Sequence, residues 1–210
     1  MHRPCVTRCA LFALSLVAAW TTPAARAGEP GPIALKDLPP EVRPFVAAGT
    51  RAIALERGDL NGDGRPDYVL VLERPDAPPT NADAEGGQRT LLVLVRQAGG
   101  ALKEAARNDK VVCCGTCGGM MGDPFQQLRV GPNSFTVSQY GGSGWRWSVE
   151  VRFAYSRRDD RWQLVRVEEQ SFHASAPDKV KVKVSMPPAS FGKIDLADFD
   201  PEKWQGAGRR

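Results

Sequence analysis

Between residues 145 and 155 every odd position is apolar or aromatic (Trp145, Trp147, Val149, Val151, Phe153, Tyr155), while Arg146, Ser148, Glu150 and Arg152 take even ones. Successive side chains of an extended strand point to opposite faces, so this run predicts a long strand with one buried and one polar face. Shorter runs at 52–56, 68–73, 90–96, 128–130, 135–140 and 162–167 read as further strands, with turn residues between them. Gly131-Pro-Asn-Ser134 and Ser156-Arg-Arg-Asp-Asp160 are tight links, and strands joined so closely must be antiparallel. Lys and Val alternate over 179–184, which predicts an exposed edge strand whose lysines discourage pairing with other molecules. Ahead of the strands, Val42, Phe45 and Val46 stand at helical spacing and predict one short helix over 38–48, ended by Gly49. The tail 191–204, with Ile194, Leu196 and Phe199, is expected to dock back on the sheet, leaving Asp195, Asp198 and Asp200 as a solvated face. The stretch 75–88, rich in Pro and Gly, reads as a surface loop.

These patterns predict a mainly β fold: an antiparallel meander of about seven to nine strands with one short N-terminal helix, in a single domain over 28–204. A propeller-like blade and a two-sheet sandwich fit alike, open or closed. Residues 205–210 are expected to be a disordered terminus.

A formal charge of +4 invites a nucleic-acid reading, but the first 27 residues hold Arg3, Arg8 and Arg26 and no carboxylate. Taking those three from the 28 basic residues leaves 25 against 24 acidic ones, so the rest of the chain is nearly neutral and nucleic acid is not expected as a partner. Arg3 and Arg8 precede an apolar run that ends near Trp20, and Ala25-Arg26-Ala27 follows. This is the pattern of a secretory signal peptide over 1–27, with cleavage before Gly28 and an apolar run too short to span a membrane. The expected location is the periplasm or the extracellular medium, without a membrane anchor. The remaining cysteines, Cys113, Cys114 and Cys117, then meet an oxidising environment, and their odd number leaves one thiol over.

The sharpest chemical signal is Asp59-Leu-Asn61-Gly-Asp63-Gly64-Arg65-Pro-Asp67, with oxygen-bearing side chains at alternate positions and a glycine after the third. Calcium takes about six to eight oxygen ligands, and a tight loop can supply them from Asp59, Asn61, Asp63 and Asp67 and from the carbonyl of Arg65. An EF-hand would need Glu at the twelfth position, which here is Leu70, inside a predicted strand. The loop resembles the calcium loops of integrin alpha-chain propeller repeats and of FG-GAP and VCBS repeat proteins, whose form D-x-[DN]-x-D-G-x-x-D is matched at Asp59, Asn61, Asp63, Gly64 and Asp67. That resemblance implies a structural Ca2+ on a loop between two strands. Those families repeat the unit, and here it occurs once.

A second block, Asn108-Asp109, Cys114-Gly-Thr-Cys117-Gly-Gly119, Gly122-Asp-Pro-Phe125 and Tyr140-Gly-Gly-Ser-Gly-Trp-Arg-Trp147, is similar to a group of small exported bacterial proteins without assigned activity. In that group's pattern the cysteine pair falls on Cys114 and Cys117, which implies a bridge between them and leaves Cys113 spare.

A redox Cys-x-x-Cys begins a helix that lowers its thiol pKa, and Gly-Gly-Met-Met-Gly after Cys117 is poor helix material. Zinc from three thiolates and His173 would need adjacent cysteines on one tetrahedral ion. Gly142-Ser143-Gly144 lacks the second half of a nucleophile elbow, and a strand-entry turn explains it better than a phosphate cradle. Trp145 and Trp147, with Tyr140, form a candidate ligand face, although their place on the apolar face also fits core packing. The leading expectation is an exported, calcium-stabilised, non-enzymatic module that binds an envelope protein or glycan. Its rivals are a periplasmic hydrolase built on paired carboxylates and a thiol-disulfide protein using Cys114 and Cys117.

Overall fold

The computed structural model describes residues 31–75 and 87–204, so the expected leader over 1–27, the terminus over 205–210 and most of the 75–88 loop lie outside the described residues. Among the described residues the strands form two antiparallel sheets. The first runs β1 (Arg51–Gly58), β2 (Asp67–Arg74), β3 (Gln88–Arg96), β4 (Leu102–Asn108). The second runs β5 (Phe125–Gly131), β6 (Ser134–Gly142), β7 (Trp145–Ser156), β8 (Arg161–His173), β9 (Lys181–Ser185). Every neighbour in a sheet is a neighbour in sequence, the commonest arrangement for consecutive strands. The expected meander is therefore divided into two open sheets of four and five strands in a sandwich-like arrangement, and neither closes into a barrel.

One core joins the sheets. Ile53, Val69, Val71, Leu91 and Val93 of the first meet Leu128, Phe135, Val137, Val151, Phe153 and Leu164 of the second. Phe153 stacks on Phe135 at 5.5 Å, and Phe199 from the tail approaches its edge at 5.4 Å. The tail docks as expected: Leu196, Phe199 and Trp204 are buried, and Asn108 Nδ2 donates to the carbonyls of Leu196 and Phe199. Asp200 departs from the solvated role assigned to it, because it is buried and accepts Lys110 Nζ at 2.6 Å.

The expected helix over 38–48 is absent. Two single 3-10 turns, Leu35–Asp37 and Arg43–Phe45, stand in that region. Pro39, Pro40 and Pro44 lack the amide protons that a continuous helix needs, and the ring of an interior proline crowds the preceding turn. The apolar spacing still has a use: Leu38 and Val42 pack with Tyr68, Leu70, Leu92 and Leu94 over the outer face of the first sheet. β2 and β3 are thus covered on both faces, which is why they read as continuous apolar runs instead of alternating ones. β4, Leu-Lys-Glu-Ala-Ala-Arg-Asn, has little β character of its own and becomes a strand through its pairing with β3.

In the second sheet the alternation is preserved. Directly paired residues share a face, so Val137–Val151, Gln139–Val149 and Gly141–Trp147 point inward, while Ser138–Glu150 and Tyr140–Ser148 point outward.

Candidate functional site

Loop 59–67 connects β1 to β2. Gly62 and Gly64 hold φ of 76° and 80°, a region that side chains make costly. At Gly62 a Cβ would also lie 2.5 Å from Arg157 Nη2 and 2.6 Å from Asn133 Oδ1. The loop winds around Asp59, whose Oδ1 accepts the amides of Gly62 at 2.7 Å and Asp63 at 3.2 Å, and whose Oδ2 accepts that of Gly64 at 2.9 Å. Partial burial raises the Asp59 carboxyl, but these amides prevail and hold it below the usual range.

Asp67 closes the loop from inside, at 0% exposure. Its Oδ2 accepts the Leu60 amide and its Oδ1 the Arg96 amide, each at 2.9 Å. Burial pushes its carboxyl up against those two bonds, and the charges of Asp63 and Asp59 push it further. Neither Asp59 nor Asp67 forms an ion pair among the described residues. Asp63 is turned elsewhere: its Oδ2 accepts Arg65 Nη2 at 2.6 Å and Asn61 Nδ2 at 3.1 Å. Among the described residues no three His, Cys, Asp or Glu side chains therefore converge as a ready-made cation cage. The donor set still suits a hard divalent ion, with three carboxylates and an amide oxygen against one arginine, and one of those carboxylates buried without a counter-ion. An ion bound there has to draw Asp63 away from Arg65.

The loop also sits where the sheets meet. Leu60 is buried in the shared core, and Trp162 Nε1 of β8 donates to its carbonyl at 3.1 Å. The Asn133 amide, in the β5–β6 turn, donates to the Asp59 carbonyl at 3.2 Å, and Arg157 Nη2, in the β7–β8 turn, reaches the Gly62 carbonyl at 3.3 Å. A first-sheet loop thus holds both hairpin turns at one end of the second sheet.

The cysteine segment lies elsewhere. Cys114 and Cys117 are bridged and Cys113 is free, so the disulfide takes two of the three thiols a zinc site would need. The segment continues into a 3-10 turn, Gly119–Met121, so no helix N-terminus faces the cysteines, and burial raises the Cys113 thiol. What anchors it is a residue that the sequence reading missed. Arg89 is 2% exposed; it gives Nε and Nη2 to Glu73 Oε1, Nη1 to the Cys113 carbonyl, and Nη1 and Nη2 to the two oxygens of Asp123. Both ends of the segment are therefore tied to the first sheet. The only sequence signal for this cluster is a charge at the start of an otherwise apolar strand. Glu73 and Asp123 line a cavity of about 330 Å³ with Arg51 and Thr116, but Arg89 holds both carboxylates, which leaves neither free for acid–base work. In the cavity of about 350 Å³ formed by the tail, Lys110 holds Asp200 lower than the usual carboxylate range, the wrong direction for a general acid.

The candidate ligand face divides. Trp147 points inward, half-buried against Gly141, and Trp145, on the same side, is 61% exposed and makes a T-shaped ring pair with His173 at 5.2 Å. Tyr140 points to the opposite face of the sheet. Ser143 sits in the β6–β7 turn, its amide bonded to the Trp145 carbonyl, as a strand-entry turn requires.

No family model, no curated protein and no solved structure matches this chain. Its chemistry is read from its own residues.

Proposed function

We propose that this chain is an exported, non-enzymatic binding module braced by calcium, with Asp59, Asn61, Asp63 and Asp67 and the carbonyl of Arg65 as the ion's protein ligands. The position of loop 59–67 carries the reading: it contributes Leu60 to the core and bonds to both hairpin turns of the second sheet, so stiffening the loop stiffens the junction. Bound calcium supplies positive charge to a loop that holds three carboxylates and one arginine. Asp59 organises the loop amides, Asp67 ties the loop to β3 through the Arg96 amide, and Asp63 exchanges Arg65 for the ion.

A site made from one hairpin loop without a distant bidentate Glu belongs at the weak end of calcium affinities, ~10⁻⁴–10⁻³ M. Such affinity suits a permanent brace where calcium is abundant. Binding to the folded state alone shifts stability by RT ln(1 + [L]/Kd), so calcium at 100 times Kd adds about 2.7 kcal/mol. Melting curves with excess calcium and with chelator test this directly. Calcium is expected to raise Tm in the wild type and to raise it far less in Asp63→Ala. Coincident wild-type curves together with no calorimetric binding would refute the site.

A further inference from the structure

The outer face of the second sheet carries more arginines than its own carboxylates pair. The first sheet covers the opposite face, and β5 to β8 turn Arg129, Thr136, Arg152 and Arg166 outward in a single cross-strand row. Beside it runs a row of Ser138, Glu150 and Glu168, then Tyr140, Ser148 and Gln170, then Arg146 and Phe172. Glu150 accepts Arg129 and Glu168 accepts Arg166. Arg152 reaches only the Ser134 hydroxyl, at 3.0 Å, and Arg146 only the Gly142 carbonyl, at 3.3 Å, so neither has a carboxylate partner among the described residues. Arg152 and Arg166 are also directly opposite one another, and of the two only Arg166 has a carboxylate, Glu168, beside it. Arg146 and Arg152 lie six residues apart on one strand, about 20 Å at the rise of an extended chain, with Ser148 and Glu150 between them on the same face and Gln170 opposite Ser148.

From this arrangement we infer that the outer face of β5–β8 binds an acidic polysaccharide, its carboxylates on Arg152 and Arg146 and its sugar rings and hydroxyls on Tyr140, Ser148 and Gln170. Guanidinium groups match planar carboxylates bidentately, and an aromatic ring beside a charge is a surface for a sugar. Glu150 and Glu168, set among the arginines, repel the dense charge of a nucleic acid, about one per 1.7 Å of duplex, but accept hydroxyl donors from a chain whose charges are sparse. The inference deepens the binding-module reading and rests on it for its biological setting. It does not depend on the calcium loop, which occupies the junction between the sheets.

The test is a binding titration of the folded chain, without added calcium, with polygalacturonate oligomers, neutral dextran and duplex DNA. Polygalacturonate is expected to bind, dextran not to bind, and DNA to bind more weakly than polygalacturonate. Arg152→Ala and Arg146→Ala should each weaken polygalacturonate by at least about fivefold, Arg152→Lys should recover part of that loss, and Lys103→Ala on β4 should change nothing. No polygalacturonate binding, equal binding to dextran, tighter binding to DNA, or unchanged affinity in both arginine variants would each overturn the inference. Any of these results obtained with the calcium-dependent Tm shift intact leaves the calcium brace standing. Loss of that shift with polygalacturonate binding intact does the reverse.

Discussion

Arg89 shows how one side chain joins two parts of the chain that are far apart in sequence. Burial lowers the pKa of a guanidinium, but the hydrogen bonds and charges of Asp123 and Glu73 more than reverse that effect here, so the group stays charged. Both Arg89 and Glu73 are withdrawn from water, and a buried pair broken from one side leaves the other charge stranded. Arg89→Met should therefore cost about 3–5 kcal/mol in urea unfolding, a large fraction of a small domain's stability. Arg107→Met removes an exposed pair with Glu104 and is expected to cost no more than about 1 kcal/mol. Equal costs for the two would show that Arg89 does not act as a buried clamp. Asp67 has a comparable local role, since both of its oxygens hold backbone amides.

At the scale of elements, the turn between β7 and β8 is tied to the tail by Asp159. Its carboxylate accepts Lys193, the Ser156 hydroxyl and the Gln163 amide, and these contacts, Lys193 foremost, hold its pKa down at about 2 against an ordinary 3.8. A depressed carboxyl stabilises the fold above its unfolded pKa, and that contribution is lost as pH falls through the folded value. The wild type should therefore lose this contribution between about pH 4 and pH 2, and Asp159→Asn should have a flatter acid limb over that window. Because Asp159 and Lys193 are partly solvated, the difference should shrink in high salt. Parallel acid limbs for the two proteins would mean that the link contributes nothing.

For the whole molecule the decisive fact is that one apolar cluster includes both sheets, Leu60 of the acidic loop, Val111 and Val112 before the cysteines, and Phe191 to Trp204 of the tail. No sheet can separate without exposing the inner face of the other, so unfolding should be a single cooperative step. Far-UV and near-UV transitions in urea are expected to coincide, with and without calcium, and to shift together when it is added. Separate midpoints for the two signals would show the sheets to be independent units.

Period-two alternation over 145–155 was enough to orient β7, because a strand with one wet face must write that face into every second residue. The antiparallel pairing of β5 with β6 and of β7 with β8 followed from the brevity of their turns, and the edge position of β9 from its lysines. The oxygen-bearing side chains of loop 59–67 were legible because their alternate spacing is local, as was the excess of one thiol over an even count. Long-range contact decided the rest. The helical spacing of Val42, Phe45 and Val46 yielded turns because prolines block the helix while the outer face of the first sheet still needed covering. The strand made from Leu102–Asn108 owes its conformation to β3, and the separation of Tyr140 from Trp147 depends on which residues of β6 and β7 are paired. The Arg89 cluster and the arginine row on the outer face bring together residues from separate strands and loops. A local pattern records which way a residue faces; which distant residue it faces is set only when the strands pair and the sheets stack.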